Sequence, residues 1–320
     1  MAKAKPRTKQ RKPANPSRLA RLGSFLVASY RPKAIFLLAV SVAAGFFAPY
    51  LIRHLPRLDS SPEYALRADD IVVSAPHDWI PEGFVASVLD SADISEDQSL
   101  LDENLARNLA EAFAREAWVE EVRRVEIGRD RKVRIDLKYR FPTLMVETTR
   151  GDYPVDASGI LLPPEDFQPV DRHRFPRVRN IRTLPQGAPG TAWRDPAVTG
   201  AARLASYLAP RGDMDRWKRF ELAAIVAPED VDSSASPDRL AFELITLGGR
   251  RIAWGHAPGA DSLEPSPDQK VGRLEEYLRR LGSFEEPQGP YLIDIRHFDA
   301  TISLQRIDQA DADSGVSSQR

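Results

Sequence analysis

The run from Ala34 to Ile52, AIFLLAVSVAAGFFAPYLI, contains no charged residue and constrains this chain more than any other feature. At about 1.5 Å of rise per residue, a helix of that length spans the hydrocarbon core of a bilayer. Lipid leaves a single segment no option but helix, because every backbone N–H and C=O must be satisfied internally. The run therefore predicts a transmembrane helix over 34–52. It is longer than the apolar core of a cleaved signal peptide, and the basic region before it is long. Ser41-Val42-Ala43 has the spacing of a cleavage site but lies in the middle of the run. Pro49 is a kink that membrane helices tolerate.

Charge decides the orientation. Residues 1–33 hold ten of the 45 Lys/Arg and none of the 46 Asp/Glu, so the remainder carries 35 basic against 46 acidic residues, a net of −11. A basic arm beside an apolar helix lies on the cytoplasmic side, which places the acidic bulk outside. The arm, with its prolines and no apolar cluster, lacks the surface to order itself. It reads as an orientation signal that also touches anionic lipid rather than as a nucleic-acid tail. The sequence has no cysteine, so packing alone holds the extracytoplasmic part together, and thiolate catalysis and Cys-based zinc sites are excluded.

Beyond a linker at 53–68 the pattern becomes regular. Asp70–Ser74 reads as a strand. Pro81-Glu82 opens a helix through Phe84, Val85, Val88 and Leu89. Asp102 is the expected N-cap of a second helix, with an apolar stripe at Leu105, Leu109, Ala112 and Phe113. Two alternating strands follow, around Val122–Ile127 and Val133–Tyr139, joined by a hairpin at Gly128–Arg131. This β-α-α-β-β unit spans 69–142. Residues 143–306 read as a second, strand-rich domain with a mixed or antiparallel sheet and flanking helices. Its strands are expected at 143–149, 153–155, 177–181, 220–226, 240–247, 250–254, 291–296 and 300–304. Its helices are expected at 196–208 and 268–281, the latter with Val271, Leu274, Leu278 and Leu281 on one side. The tail from 307 to 320 reads as disordered. The fold class is α+β.

The motifs of catalysis are absent from the sequence. The five histidines are scattered and none lies in H-E-x-x-H, and there is no G-x-S-x-G, P-loop or G-x-G-x-x-G. Asp308–Gly315 begins like a calcium loop but lacks the closing Glu. Trp118, directly after the second helix, reads as a core residue closing helix onto sheet, and Trp254-Gly255 as a strand end followed by a turn. Catalytic, metal and cofactor residues are therefore expected to be none.

Several landmarks together resemble the FtsQ/DivIB family of bacterial division proteins. They are Ala117-Trp118-Val119, Arg140-Phe141-Pro142, Val155-Asp156-Ala157-Ser158-Gly159-Ile160, Phe175-Pro176-Arg177-Val178, Trp254-Gly255, Lys270-Val271 and Ile293-Asp294-Ile295-Arg296. Their order covers about residues 30 to 305. The chain departs from the family at Ala117, where a proline is usual, and at Lys138, where a glutamate is frequent. The resemblance implies a single-span inner-membrane protein of the cell-division complex with a POTRA domain and a β domain, located at midcell. It implies a non-enzymatic scaffold without small-molecule substrate, recruiting FtsB-like and FtsL-like single-span partners by strand addition to the last β strand. Carried onto this chain, the partner-binding residues are His297, Phe298, Asp299, Ala300, Thr301, Ile302, Ser303 and Leu304, with Tyr277 and Arg280 on the helix beside them. A terminal strand supplies a physical reason, since its free N–H and C=O groups template a foreign strand. Ile302 is expected to be exposed on that strand. Two other readings compete: a POTRA-bearing envelope transport or assembly component, and a membrane-anchored hydrolase built from scattered carboxylates.

Overall fold

The computed structural model describes residues 32–54, 64–95, 98–298 and 302–306. The arm up to residue 31, residues 55–63 of the linker, Asp299, Ala300, Thr301 and the tail 307–320 lie outside the described residues. The chain divides into two units, Met1–Leu58 and Asp59–Arg320. The first contains helix α1, Pro32–His54, 23 residues with Pro49 inside it. Its described side chains run from Phe36 to Tyr50 and are exposed. Among the described residues no helix is long and apolar enough to cross a membrane.

The second unit holds two sheets. Strand β1 (Ile71–Val73), helices α2 (Phe84–Ser91) and α3 (Leu105–Ala114), and strands β2 (Val119–Ile127) and β3 (Val133–Tyr139) follow in the expected order. They form a three-stranded sheet ordered β1-β3-β2, with β1 parallel and β2 antiparallel to β3. The period-2 alternation of β3 buries Val133, Ile135 and Leu137 against the α3 stripe, and all four stripe residues are buried. Helix α2 starts three residues later than Pro81 would allow, because Gly83 at φ +80° breaks the helical run. Asp102 is not the N-cap of α3. Its Oδ1 accepts from the Asn104 amide at 2.8 Å, a turn that precedes the helix. The expected linker also ends early, since Leu66 is buried in this core and Ala65 bridges Ser99.

The larger sheet is built from β4 (Leu144–Thr148), β5 (Gly151–Val155), β6 (Arg177–Arg179), β7 (Leu222–Val226), β8 (Ala241–Thr246), β9 (Arg251–His256), β10 (Tyr291–Asp294) and β11 (Ser303–Arg306). Its order is β11-β10-β9-β8-β7-β6-β4-β5. It is mixed: β4/β6, β6/β7 and β9/β10 are parallel, and the other neighbours antiparallel. Helix α4 (Pro196–Leu208) begins with Pro at its first turn and Asp195 accepting from the Ala197 amide. Helix α6 (Pro267–Leu281) opens on a capping box of Ser266 and Gln269. Short helix α5 (Asp215–Arg219), unexpected from the pattern, buries Trp217. α4, α5, α6 and the sheet share one core around Phe220, Phe242, Trp254 and Phe284. On α6, Val271 and Leu274 are buried as expected, but Leu281 is exposed and Tyr277 and Lys270 take the buried positions instead.

A third cluster joins the two sheets. Trp118, Met145, Leu162, Phe167 and Phe175 are buried together, with Trp79, Phe84 and Phe141 packed on them. Trp118 Nε1 donates to Asp166 at 2.7 Å, and the Arg140 guanidinium pairs with Asp156 at 2.7 Å.

Candidate partner-binding edge

Strand β10 is anchored by Ile293, and Ile295 just beyond its end is also fully buried. It pairs with β9 at only three positions, Leu292↔Arg251, Ile293↔Ile252 and Asp294↔Ala253. Among the described residues, strand β11 then pairs with β10 alone, from Tyr291↔Arg306 to Asp294↔Ser303. The return between them is organised by Asp294, which has no exposed surface. Its Oδ1 accepts from the Arg296 amide at 3.0 Å and from Arg296 Nε at 2.9 Å, while Oδ2 accepts from Arg296 Nη2 at 2.6 Å and Gln305 Nε2 at 3.4 Å. Burial pushes the Asp294 carboxyl up, but the hydrogen bonds from Arg296 outweigh it and hold the group below its ordinary value. Arg273 on α6 adds a 2.6 Å bond to the Ile295 carbonyl.

The four sheet edges differ in how they are protected. At β5, Leu162 N donates to the Pro154 carbonyl at 2.9 Å and Leu161 bridges Val155, so the outer side is already covered. At β2 the exposed residues are Glu120, Glu121, Arg123, Arg124 and Glu126, and the register shifts twice. Charges and bulges are the usual guards against edge pairing. Strand β1 is three residues long. Strand β11 is the sheet's other terminus, and among the described residues no strand pairs with its outer side. Leu304 on it is 39% exposed and Phe298, five residues before it in the chain, is 67% exposed.

The residues expected at the site are only partly brought together. His297, with Nε2 3.6 Å from Asp294 Oδ2, and Phe298 lie at the turn leaving β10. Ser303 and Leu304 begin β11, which starts three residues later than expected. Asp299, Ala300 and Thr301 lie outside the described residues. Ile302 is half-buried and packs against the core of the larger sheet, so it is not the exposed position it was expected to be. Tyr277 is corrected more strongly: it is 4% exposed, stacked on Phe284, with its hydroxyl donating to the Glu286 carbonyl. Burial raises the Tyr277 phenol. It belongs to the core rather than the surface because the stripe of α6 rotates inward at Lys270, Leu274 and Tyr277. Arg280 is exposed and pairs with Glu276 one turn earlier.

Beside this edge, sequence reasoning missed a buried charge cluster. Lys270 Nζ lies 2.6 Å from Glu264 Oε2 and 5.4 Å from the centre of the Trp254 ring. The His256 amide donates to the same carboxylate at 3.0 Å. The His256 ring stands with Nδ1 2.9 Å from Oε1, out of line for a hydrogen bond. Gly255, at φ +87°, makes room: a Cβ there would stand 2.2 Å from Glu264 Oε2. Lys270-Val271 was visible as a landmark, but its burial was not, since Lys is almost always exposed. Among the described residues no group of His, Cys, Asp and Glu is arranged to hold a metal ion. A cleft lined by Leu66, Ala68, Ala86, Leu89, Asp90, Ile94 and Ser95 has, among its described residues, one carboxylate, Asp90. No family model matches this chain, and no curated protein matches it.

Proposed function

We propose that this chain is a non-enzymatic scaffold of the FtsQ/DivIB type in the bacterial division complex. In this reading residues 34–52 cross the inner membrane with the N-terminus in the cytoplasm, the β-α-α-β-β unit is a POTRA domain, and the larger sheet is the β domain. Strand β11 accepts a strand from FtsB-like or FtsL-like single-span partners during septum formation. The observation that carries the proposal is the contrast between the edges: β5 is covered and β2 guarded by charge, while β11 ends its sheet with Leu304 and Phe298 exposed. Main-chain hydrogen bonds along β11 supply affinity, and the two apolar side chains supply selectivity.

The test is site-specific photocrosslinking in cells from the full-length chain. A crosslinker at Leu304 is expected to capture a single-span division partner, and one at Val170, exposed on a loop away from the edge, is not. Equal labelling from both positions, or none from Leu304 in dividing cells, overturns the reading. The anchor is tested separately by carbonate extraction of the membrane fraction, from which the full-length chain is expected not to be released.

A further inference from the structure

Arg250, one residue before β9, is 6% exposed, and the hydrogen bonds of its guanidinium all go to main-chain carbonyls of one segment. Nε donates to Phe284 O at 2.9 Å. Nη1 donates to Gly289 O at 2.6 Å and Tyr291 O at 3.2 Å, and Nη2 to Glu285 O at 2.7 Å and Pro287 O at 2.9 Å. The five N–H donors of an arginine are thus matched by five carbonyls from 284–291, the connection between α6 and β10. The arginine is itself fixed at the hairpin: its amide donates to Thr246 Oγ1 at 2.9 Å, and its carbonyl accepts from the Thr246 amide at 2.9 Å. Thr246 Oγ1 in turn donates to Glu285 Oε1 at 2.8 Å, a second tie between hairpin and connection.

One of the five acceptors, Tyr291 O, belongs to the first residue of β10. Hydrogen bonds from a charged donor are stronger than neutral ones, and buried carbonyls stripped of their donor carry a desolvation cost. The cage therefore fixes where β10 begins against β9, over a pairing of only three positions. Because β11 pairs with β10 alone among the described residues, the same cage fixes where the free side of β11 lies.

We propose that Arg250 is the positioning residue of the β10–β11 edge, holding the pair seated against the core. The claim about partner capture rests on β11 being the docking strand; the claim about seating does not. Hydrogen exchange on the full-length chain in detergent micelles, comparing wild type, R250M and R250K, tests it. R250M is expected to speed exchange of the amides of 291–294 and 303–306 roughly tenfold or more, leaving β2, β3, β7 and β8 unchanged. R250K, which keeps the charge but donates from a single atom, is expected to fall between. Unchanged exchange at the edge, or uniform acceleration of all strands, overturns the proposal. Should R250M not fold, R250K is read by the same two criteria. Photocrosslinking from Leu304 in the R250M background then separates the two claims. A loosened edge with lost capture supports both, whereas a loosened edge with undiminished capture refutes β11 as the docking strand and leaves the seating role standing.

Discussion

Replacing Glu264 with Gln keeps the volume of the side chain and removes the charge that faces Lys270. The lysine side chain is 3% exposed and its Nζ has the carboxylate 2.6 Å away, so E264Q strands a buried ammonium. Breaking one side of a buried pair costs about 3–5 kcal/mol. The Glu264 side chain is itself 15% exposed, and water reaching the site brings the expectation to the lower end, about 3 kcal/mol. For a folded unit of this size each kcal/mol lowers the midpoint by about 2–4 °C, which predicts a drop of roughly 6–12 °C. The double variant E264Q/K270M removes both charges, and replacing a buried pair with groups of similar volume is often close to neutral. It is expected to recover most of the loss. Thermal unfolding of wild type, both single variants and the double variant, followed by tryptophan fluorescence, measures the cycle. An E264Q midpoint within error of wild type, or a double variant no better than E264Q, refutes the reasoning. Burial pushes the Glu264 carboxyl up, but Lys270 and the His256 amide outweigh it and hold the group below 4.5. Its stabilisation is thus present above pH 4.5 and lost as pH falls through the lower folded value, a slope that E264Q removes.

Two further outcomes follow from the geometry. His77 accepts at Nδ1 from the Trp79 amide at 3.3 Å and stands with Nε2 2.8 Å from the Arg140 carbonyl, an arrangement for the neutral ring. Burial lowers it below 6.5, outweighing the Arg140 carbonyl and Asp78, which raise it. The unfolded chain then binds the proton better, so stability is constant at high pH and falls as pH drops below 6.5 until the folded value is passed. Urea midpoints at pH 7.5 and 5.5 check this, and H77Q is expected to show less change. On the edge, Ile302→Lys is expected to lower the unfolding midpoint because that side chain packs on the core, whereas Leu304→Lys leaves the midpoint unchanged and abolishes co-purification of the partner. Circular dichroism and co-purification read the two effects separately.

What was legible in the chain was whatever repeats locally. The 3–4 spacing of Leu105, Leu109, Ala112 and Phe113 and the alternation through Val133, Ile135 and Leu137 are local signals, and the corresponding elements form. Failures came where a single turn residue or distant residues decide. Gly83 delays α2 through a left-handed turn that Pro81 conceals. Helix α5 is five residues long, too short for periodicity to register, and exists because Trp217 is buried. Lys270 and Tyr277 look like surface residues of α6 until Glu264 and the Glu286 carbonyl, brought in by separate loops, satisfy their polar ends. Arg250 carried no signal at all, since its five acceptors are backbone groups without side-chain identity. At the edge, the position of the strand was misjudged by three residues, which moved Ile302 from expected surface to half-buried packing.

The ring cluster between the sheets has a mechanical consequence. Trp118 and Phe167 stack at 5.8 Å, Trp79 and Phe167 at 5.6 Å, and Phe167 meets Phe175 edge-on at 6.1 Å. Interlocked planes of this kind resist sliding and twisting in every direction at once, so one sheet cannot swivel on the other without pulling rings apart. Displacement of the larger sheet is accordingly passed through Phe167 to Trp118, one residue before β2, rather than being absorbed in a loose joint.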